Sequence, residues 1–290
     1  RMVKIHLHII LTRRIKGMVL DKNKHLVIII TLFLLFSISI IPESASAQIN
    51  DEWKKSYGGS SKDIAKSVIF TDDGGLIIAG STRSFGPGKL YNFHIVKTNN
   101  NGYTEWRRTY GGDYDDEAEE IIQTDDGGFA IAGSSESFKG RAQYDFYMIK
   151  TDSKGRKQWD AGFGGQYDER CYSIIQTDDD GYLMVGSTIT YGLRGNDFWA
   201  VKVDSNGDKI WAKSYGGDGD DICRSVTKTD DGSYLLAGYT DSFGDPGQGS
   251  YLIKINKQGE KIWERAAGGF LDDYCYDVIQ SDEGGFAYVG

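Results

Sequence analysis

Five carboxylates recur at one place in this sequence. Asp63, Asp116, Glu169, Asp221 and Asp273 stand 53, 53, 52 and 52 residues apart, and Asp115, Asp168, Asp220 and Asp272 precede four of them. Carboxylate oxygens are hard donors suited to calcium, so a ring of such acids could hold a cation or a polar ligand. Acids in a loop can instead accept hydrogen bonds from nearby backbone N–H groups, as Asp often does. The second reading is favoured, because a residue present once per repeat needs no ligand to explain it. The paired acids Asp72-Asp73, Asp125-Asp126, Asp178-Asp179 and Asp230-Asp231 follow hairpin chemistry, since Asp-Gly is a strong turn signal. Asp204-Ser-Asn206-Gly207-Asp208 opens like a calcium loop, but Lys209 and Tyr215 stand where such a loop requires Gly and Glu.

Other reactive types are sparse. Of four histidines, His6, His8 and His25 lie near the N-terminus, which leaves His94 for any acid-base chemistry and excludes a multi-histidine metal site in the part that follows. His94 aligns with Tyr147, Trp199 and Tyr251, so the position wants a flat ring. Cys171, Cys223 and Cys275 align with Ala65 and Ala118, which predicts small, packed, unpaired thiols. Lys97, Lys150, Lys202 and Lys254 recur on the third strand of each repeat and are expected to pair with a repeated acid or to stay solvated.

These positions are held by an internal repeat. Trp53, Trp106, Trp159, Trp211 and Trp263 recur, each followed by a Gly-Gly pair such as Gly111-Gly112 or Gly216-Gly217. Within one period, 116–124 reads as a strand, 125–128 as a turn, 129–135 as a second strand, 144–151 as a third, and the last runs through Trp159. The second strand is apolar or small on both faces, as in Phe129-Ala-Ile-Ala-Gly133, and must therefore be covered on both sides. One four-stranded sheet cannot do this alone, so copies stack face to face, about 10 Å apart. The expected fold is all-β, a β-propeller of four-stranded antiparallel blades; a linear solenoid would use shorter rungs.

The motifs Asp-Gly-Gly-Phe-x-Ile-Ala-Gly-Ser, Phe-Tyr-Met-Ile-Lys-Thr-Asp-x-x-Gly and Trp-x-x-x-(Tyr/Phe)-Gly-Gly make residues 53–290 resemble the tandem β-propeller repeats of secreted and surface proteins of bacteria and archaea. The resemblance implies that the strand before Asp-Gly-Gly lies innermost and the tryptophan strand outermost. The repeated acids would then encircle one mouth of a central channel. It also implies an outer strand at Asp51–Tyr57, and a partial array of four full blades plus half of a fifth, from a ring of roughly six to eight.

Ahead of the repeats, Met18 is the expected start. A basic flank, an uncharged run from Leu26 to Ile41 and the exit Ala45-Ser-Ala47 predict a leader over 1–47 with signal-peptide cleavage after Ala47. The run is shorter than the ~20 residues of a spanning helix, so no membrane span is expected in the mature chain, 48–290. Residues 1–47 hold seven Lys/Arg and two Asp/Glu; 26 basic and 40 acidic side chains remain, a net charge of −14. Such a surface repels nucleic acid.

The expectation is a secreted or cell-surface, non-enzymatic module without a cofactor, calcium being the one ion considered, that binds protein or carbohydrate or serves as a scaffold. Loops between second and third strands differ between copies while the framework does not, and recognition sits on such loops. The alternative is the propeller portion of an exported enzyme, carbohydrate-active or quinoprotein-dehydrogenase-like. The spacing Gly207-x-x-x-Trp211 is similar to the tryptophan-docking repeat of quinoproteins, which bind pyrroloquinoline quinone, although the repeat here is longer and lacks adjacent cysteines.

Overall fold

In a computed structural model of the chain, residues 54–138, 143–244, 247–268, 272–281 and 284–290 are described. The leader, its cleavage site and Trp53 lie outside the described residues. The chain divides into residues 1–56 and 57–290. The second unit carries every assigned element, and among the described residues each is a strand.

Asp-Gly turns and glycine hairpins fold each repeat into a meander. Blade 1 is β1 (Asp63–Phe70), β2 (Leu76–Thr82), β3 (Asn92–Thr98) and β4 (Thr104–Tyr110). Blade 2 is β5 (Asp116–Gln123), β6 (Phe129–Ser135), β7 (Asp145–Thr151) and β8 (Lys157–Phe163). Blade 3 is β9 (Glu169–Gln176), β10 (Tyr182–Thr188), β11 (Asp197–Val203) and β12 (Lys209–Tyr215). Blade 4 is β13 (Asp221–Lys228), β14 (Tyr234–Thr240), β15 (Gly249–Ile255) and β16 (Lys261–Ala267). β17 (Asp277–Gln280) and β18 (Phe286–Val289) begin a fifth. Strands within each sheet are antiparallel and pair in sequence order, and the sheets do not close a ring. The fold is a partial β-propeller. Residues 54–57, the described end of the expected outer strand Asp51–Tyr57, form no strand; no strand ladders against them to take their backbone hydrogen bonds.

The first strand of each blade is innermost: β1 neighbours β5, β5 neighbours β9, and β9 neighbours β13. The second strands β2, β6, β10 and β14 are buried along their whole length, as their two apolar faces require. The hydrophobic core is accordingly divided, with one cluster per blade interface. Ile77, Phe93, Ile121 and Phe129 meet between blades 1 and 2, whereas Leu183, Phe198, Leu236 and Tyr251 meet between blades 3 and 4. Each such side chain withdrawn from water contributes about 1.5–3 kcal/mol.

Tryptophans and glycines lock neighbouring blades. A Cβ on Gly155 would fall 2.6 Å from the ring of Trp106, one on Gly207 2.8 Å from Trp159, and one on Gly259 3.0 Å from Trp211. The glycine four residues before Trp159, Trp211 and Trp263 is thus the seat of the preceding blade's tryptophan. This packing gives the Gly-x-x-x-Trp spacing a structural role. Tyr110 Oη and Tyr215 Oη add hydrogen bonds of 2.5 and 2.7 Å to the carbonyls of Gly155 and Gly259.

The inner strands of blades 1 to 4 are also bulged. The ladder skips one residue between Ala65 and Ser67, Ala118 and Glu120, and Cys223 and Ser225, and Tyr172 is skipped in the same way opposite Val185 and Gly186. A bulge needs close backbone approach, and glycine supplies it: a Cβ on Gly133 would fall 2.8 Å from Ala118 Cα. The Ala/Cys position of the sequence repeat lies opposite this glycine, and Cys171, Cys223 and Cys275 are free, buried thiols.

Candidate functional site

The repeated acids stand at the start of the inner strands, where each knits the loop that enters its blade. Asp116 accepts hydrogen bonds from Gly112 N (2.8 Å), Ser137 Oγ (2.9 Å) and Ser135 Oγ. Glu169 accepts from Gly165 N (2.7 Å) and Thr188 Oγ1 (2.9 Å), and Asp221 from Gly217 N (2.8 Å) and Ser242 Oγ (2.7 Å). Asp63 repeats the set with Gly59 N and Ser84 Oγ, both at 2.8 Å, and Thr82 Oγ1. Asp273 donates its backbone N–H to Gln248 O at 2.6 Å. The preceding acids act on the neighbouring blade: Asp115, Asp168 and Asp220 accept Tyr91 N, Tyr144 N and Asn196 N at 2.7, 3.0 and 2.8 Å.

The Gly-Gly pair follows from the same geometry. Its second glycine offers the N–H, and its first leaves room for side chains: a Cβ on Gly216 would collide with the carboxylates of Asp197 and Asp221. Burial then sets protonation. It pushes the Asp116 and Asp221 carboxyls up, their hydrogen bonds offsetting it only in part. Asp197 is pushed up to about 6 by burial and by the charge of Asp221. Asp63 also feels burial, but there the hydrogen bonds from Thr82, Gly59 and Ser84 outweigh it and the carboxyl is lowered. Among the described residues no three His, Cys, Asp or Glu side chains gather as a metal would require.

The other singled-out residues are also engaged. Lys97, Lys150, Lys202 and Lys254 pair with Asp73, Asp126, Asp179 and Asp231 at 2.8, 2.8, 2.9 and 2.6 Å, the second acid of each turn. His94 stacks on Phe85 with ring centroids 5.1 Å apart, and burial lowers its pKa. Asp204 Oδ1 accepts Asn206 N and Asp208 N, both at 2.9 Å, closing a hairpin.

A different set of side chains converges on the axis. The bulged residues Lys66, Glu119, Tyr172 and Arg224, with Tyr276 of blade 5, line a cavity of about 350 Å³ together with their successors Ser67, Glu120, Ser173, Ser225 and Asp277. That volume falls in the range of small-molecule sites. The successors stitch the inner strands together: Glu120 Oε2 accepts Ile174 N at 2.7 Å, Ser173 Oγ accepts Val226 N at 3.3 Å, and Ser225 Oγ donates to Asp277 Oδ1 at 2.7 Å.

The bulged residues themselves are less tied. Lys66 Nζ lies 3.0 Å from Glu119 Oε1. The Arg224 guanidinium sits 4.1 Å from the Tyr172 ring centroid and donates to Tyr239 Oη at 3.2 Å, and its Nε has no partner among the described residues. Burial raises the carboxyls of Glu119 and Glu120, and the Lys66 charge offsets only part of this at Glu119. The axis thus presents carboxyl groups that hold protons readily, a cation held between aromatic rings, and phenol rings. The motifs of the repeat do not point to these residues; the signal that could have found them is the succession Lys, Glu, Tyr, Arg and Tyr at one position of an otherwise constant frame.

No protein-family model and no curated protein matches the chain. Several solved structures are similar to the chain. A protein of unknown function from Bacteroides caccae is similar over 81% of this chain and 73% of its own, with 14% identity and a TM-score of 0.52. Sqt1 from Chaetomium thermophilum aligns over 77% of this chain and 54% of its own, at 12% identity and a TM-score of 0.46. A putative exo-β-1,3-galactanase from Bifidobacterium bifidum aligns over 71% and 72%, at 15% identity and a TM-score of 0.44.

Proposed function

We propose that this chain is an exported, non-enzymatic β-propeller module that binds a carbohydrate or protein ligand outside the cell or at its surface, with the axial cavity as the principal contact. One observation carries the reading. Blades that repeat almost every hydrogen bond differ at the bulge, where Lys66, Glu119, Tyr172, Arg224 and Tyr276 face one shared space. Repetition meets the needs of the fold, and divergence at a shared inward position meets the needs of something the fold surrounds. The mixed charge and the phenol rings suit a hydroxyl-rich ligand, which offers both donors and C–H faces. The leader supports export, and the acidity of 48–290 disfavours nucleic acid. The rim acids enter as scaffold.

A second reading rests on Glu119 and Glu120, adjacent carboxyls whose raised proton affinity suits acid catalysis on a glycan. Glycan-array binding of the full-length protein, with and without calcium, tests both. Retention of a glycan or protein ligand, lost in Arg224→Ala, is expected; a ligand held equally by Arg224→Ala overturns the axial assignment. Turnover of the bound glycan, abolished in Glu119→Gln, replaces the binding module with an enzyme.

A further inference from the structure

A second cavity of about 540 Å³ lies away from the axis, in the groove between blades 2 and 3 beside the Asp-Gly turns. Equivalent grooves exist between other blades, and comparison shows how this one differs. Between blades 3 and 4 the groove is closed by lysines: Asp178 pairs with Lys228 and, at 3.1 Å, with Lys257. Lys257 also covers Gly232, where a Cβ would fall 3.1 Å from Lys257 Cε, and its carbonyl accepts Trp211 Nε1 at 3.1 Å. Between blades 2 and 3 the positions of Lys228, Lys257 and Gly232 are taken by Gln176, Ser205 and Asp180. The lysines are gone, as they are between blades 1 and 2, where Gln123 and Ser153 stand; only between blades 2 and 3 does a carboxylate stand where glycine stood.

Asp180 occupies this place at a conformational cost. It has φ 59°, whereas Gly74, Gly127 and Gly232 fill the equivalent position at 81°, 76° and 75°. It is the one described non-glycine residue with positive φ, a region that Asp tolerates better than most side chains but still disfavours. No described group donates a hydrogen bond to its carboxylate, so the fold gains nothing visible from the exchange.

The groups lining the groove are complementary. Asp125 and Asp180 offer carboxylates that accept no described hydrogen bond, and their charges, with that of Asp126, raise the Tyr182 hydroxyl further than burial alone. Gln176 uses its Oε1 on Asp125 N (3.0 Å) and Gln158 its Oε1 on Lys150 (3.1 Å), which leaves both amide NH2 groups as donors. Trp159 and Tyr182 stand with ring centroids 6.0 Å apart, and the Trp159 Nε1–H, unlike that of Trp211, has no described acceptor. Lys150 is already matched by Asp126 and by Thr151 O at 3.0 Å.

We propose that this groove is a saccharide-binding site for a neutral sugar, whose hydroxyls would donate to Asp125 and Asp180 and accept from Gln158, Gln176 and Trp159. An anion would meet two unmatched carboxylates, and an organic cation would leave the neutral donors unused. The inference is independent of the axial cavity.

Titration calorimetry of the full-length protein with cellobiose, maltose, lactose and xylobiose, and with tetramethylammonium as the cationic probe, decides it. At least one disaccharide is expected to bind. The affinity should fall about tenfold in Asp180→Gly, the loss of one or two charge-assisted hydrogen bonds. It should vanish in Gln176→Lys with Ser205→Lys, which transplants the closure of the next groove. Asp180→Gly restores the residue of the other copies and so keeps the fold. Failure of all four sugars to bind, unchanged affinity in both groove variants, or binding of tetramethylammonium in place of sugar overturns the proposal. Loss of sugar binding in Arg224→Ala with retention in both groove variants places the sugar on the axis instead.

Discussion

The rim and the axis of this propeller are built from the same inner strands and obey opposite rules. At the rim a carboxylate is held constant and serves the fold: Asp116, Glu169 and Asp221 each collect a glycine N–H and at least one hydroxyl from their own blade. Three residues further along, roughly 10 Å of strand, the bulge places Lys66, Glu119, Tyr172 and Arg224 outside the ladder, and the residue type changes with every blade. The difference separates acids that hold the protein together from polar groups that the protein holds for another purpose.

The largest expected effect breaks the comparison at the rim. Asp116→Ala strands a part-buried N–H and two hydroxyls and is expected to cost about 3 kcal/mol in urea denaturation, whereas Asp63→Ala, on a half-exposed face, costs about 1 kcal/mol. Equal losses would mean that coverage by the neighbouring blade does not set the weight of these acids. Glu120→Ala tests the border between the two regions. It leaves Ile174 N without its acceptor and is expected to cost about 2 kcal/mol, most of it recovered in Glu120→Gln, which keeps an oxygen there.

The bulged residues should behave otherwise. Glu119→Gln and Tyr172→Phe are expected to change stability by less than about 1 kcal/mol, as surface-like substitutions do, while altering ligand retention on the array; a large stability loss would return them to the scaffold.

The smallest effect is in pH. Asp116, Asp197 and Asp221 bind protons more tightly folded than unfolded, so stability rises as pH falls from above about 6, the value at Asp197, toward the ordinary carboxylate value of 3.8. Asp73, Asp126 and Asp179, each lowered to about 2, work in the other direction and withdraw stability below that range. The melting temperature should therefore peak between these limits, and Asp197→Asn should flatten the rise on its neutral side.

The parts of this molecule legible in the sequence are those where geometry leaves one solution. Trp106 needs Gly155 beneath it, Gly112 must lend its N–H to Asp116, and β6 must be apolar on both faces; the repeat therefore shows all three. The loops after the second strands differ between copies yet share one anchor, because Phe85, Phe138, Tyr191 and Phe243 each lie on a ring of the third strand. The axial cavity was hidden for the converse reason. A bulge shifts the alternation of a strand by one residue, so Glu119 and Glu120 both reach the channel although an unbroken pleat would send one of them away.

The divided core carries a consequence for how such a chain can change. With Ile121 and Phe129 engaged at one interface and Leu236 and Tyr251 at another, no single nucleus binds all blades together. Each blade answers only to the two beside it. Copies can therefore be duplicated, lost or exchanged along the chain with the damage confined to one seam, and every such event deals a new set of side chains onto the axis.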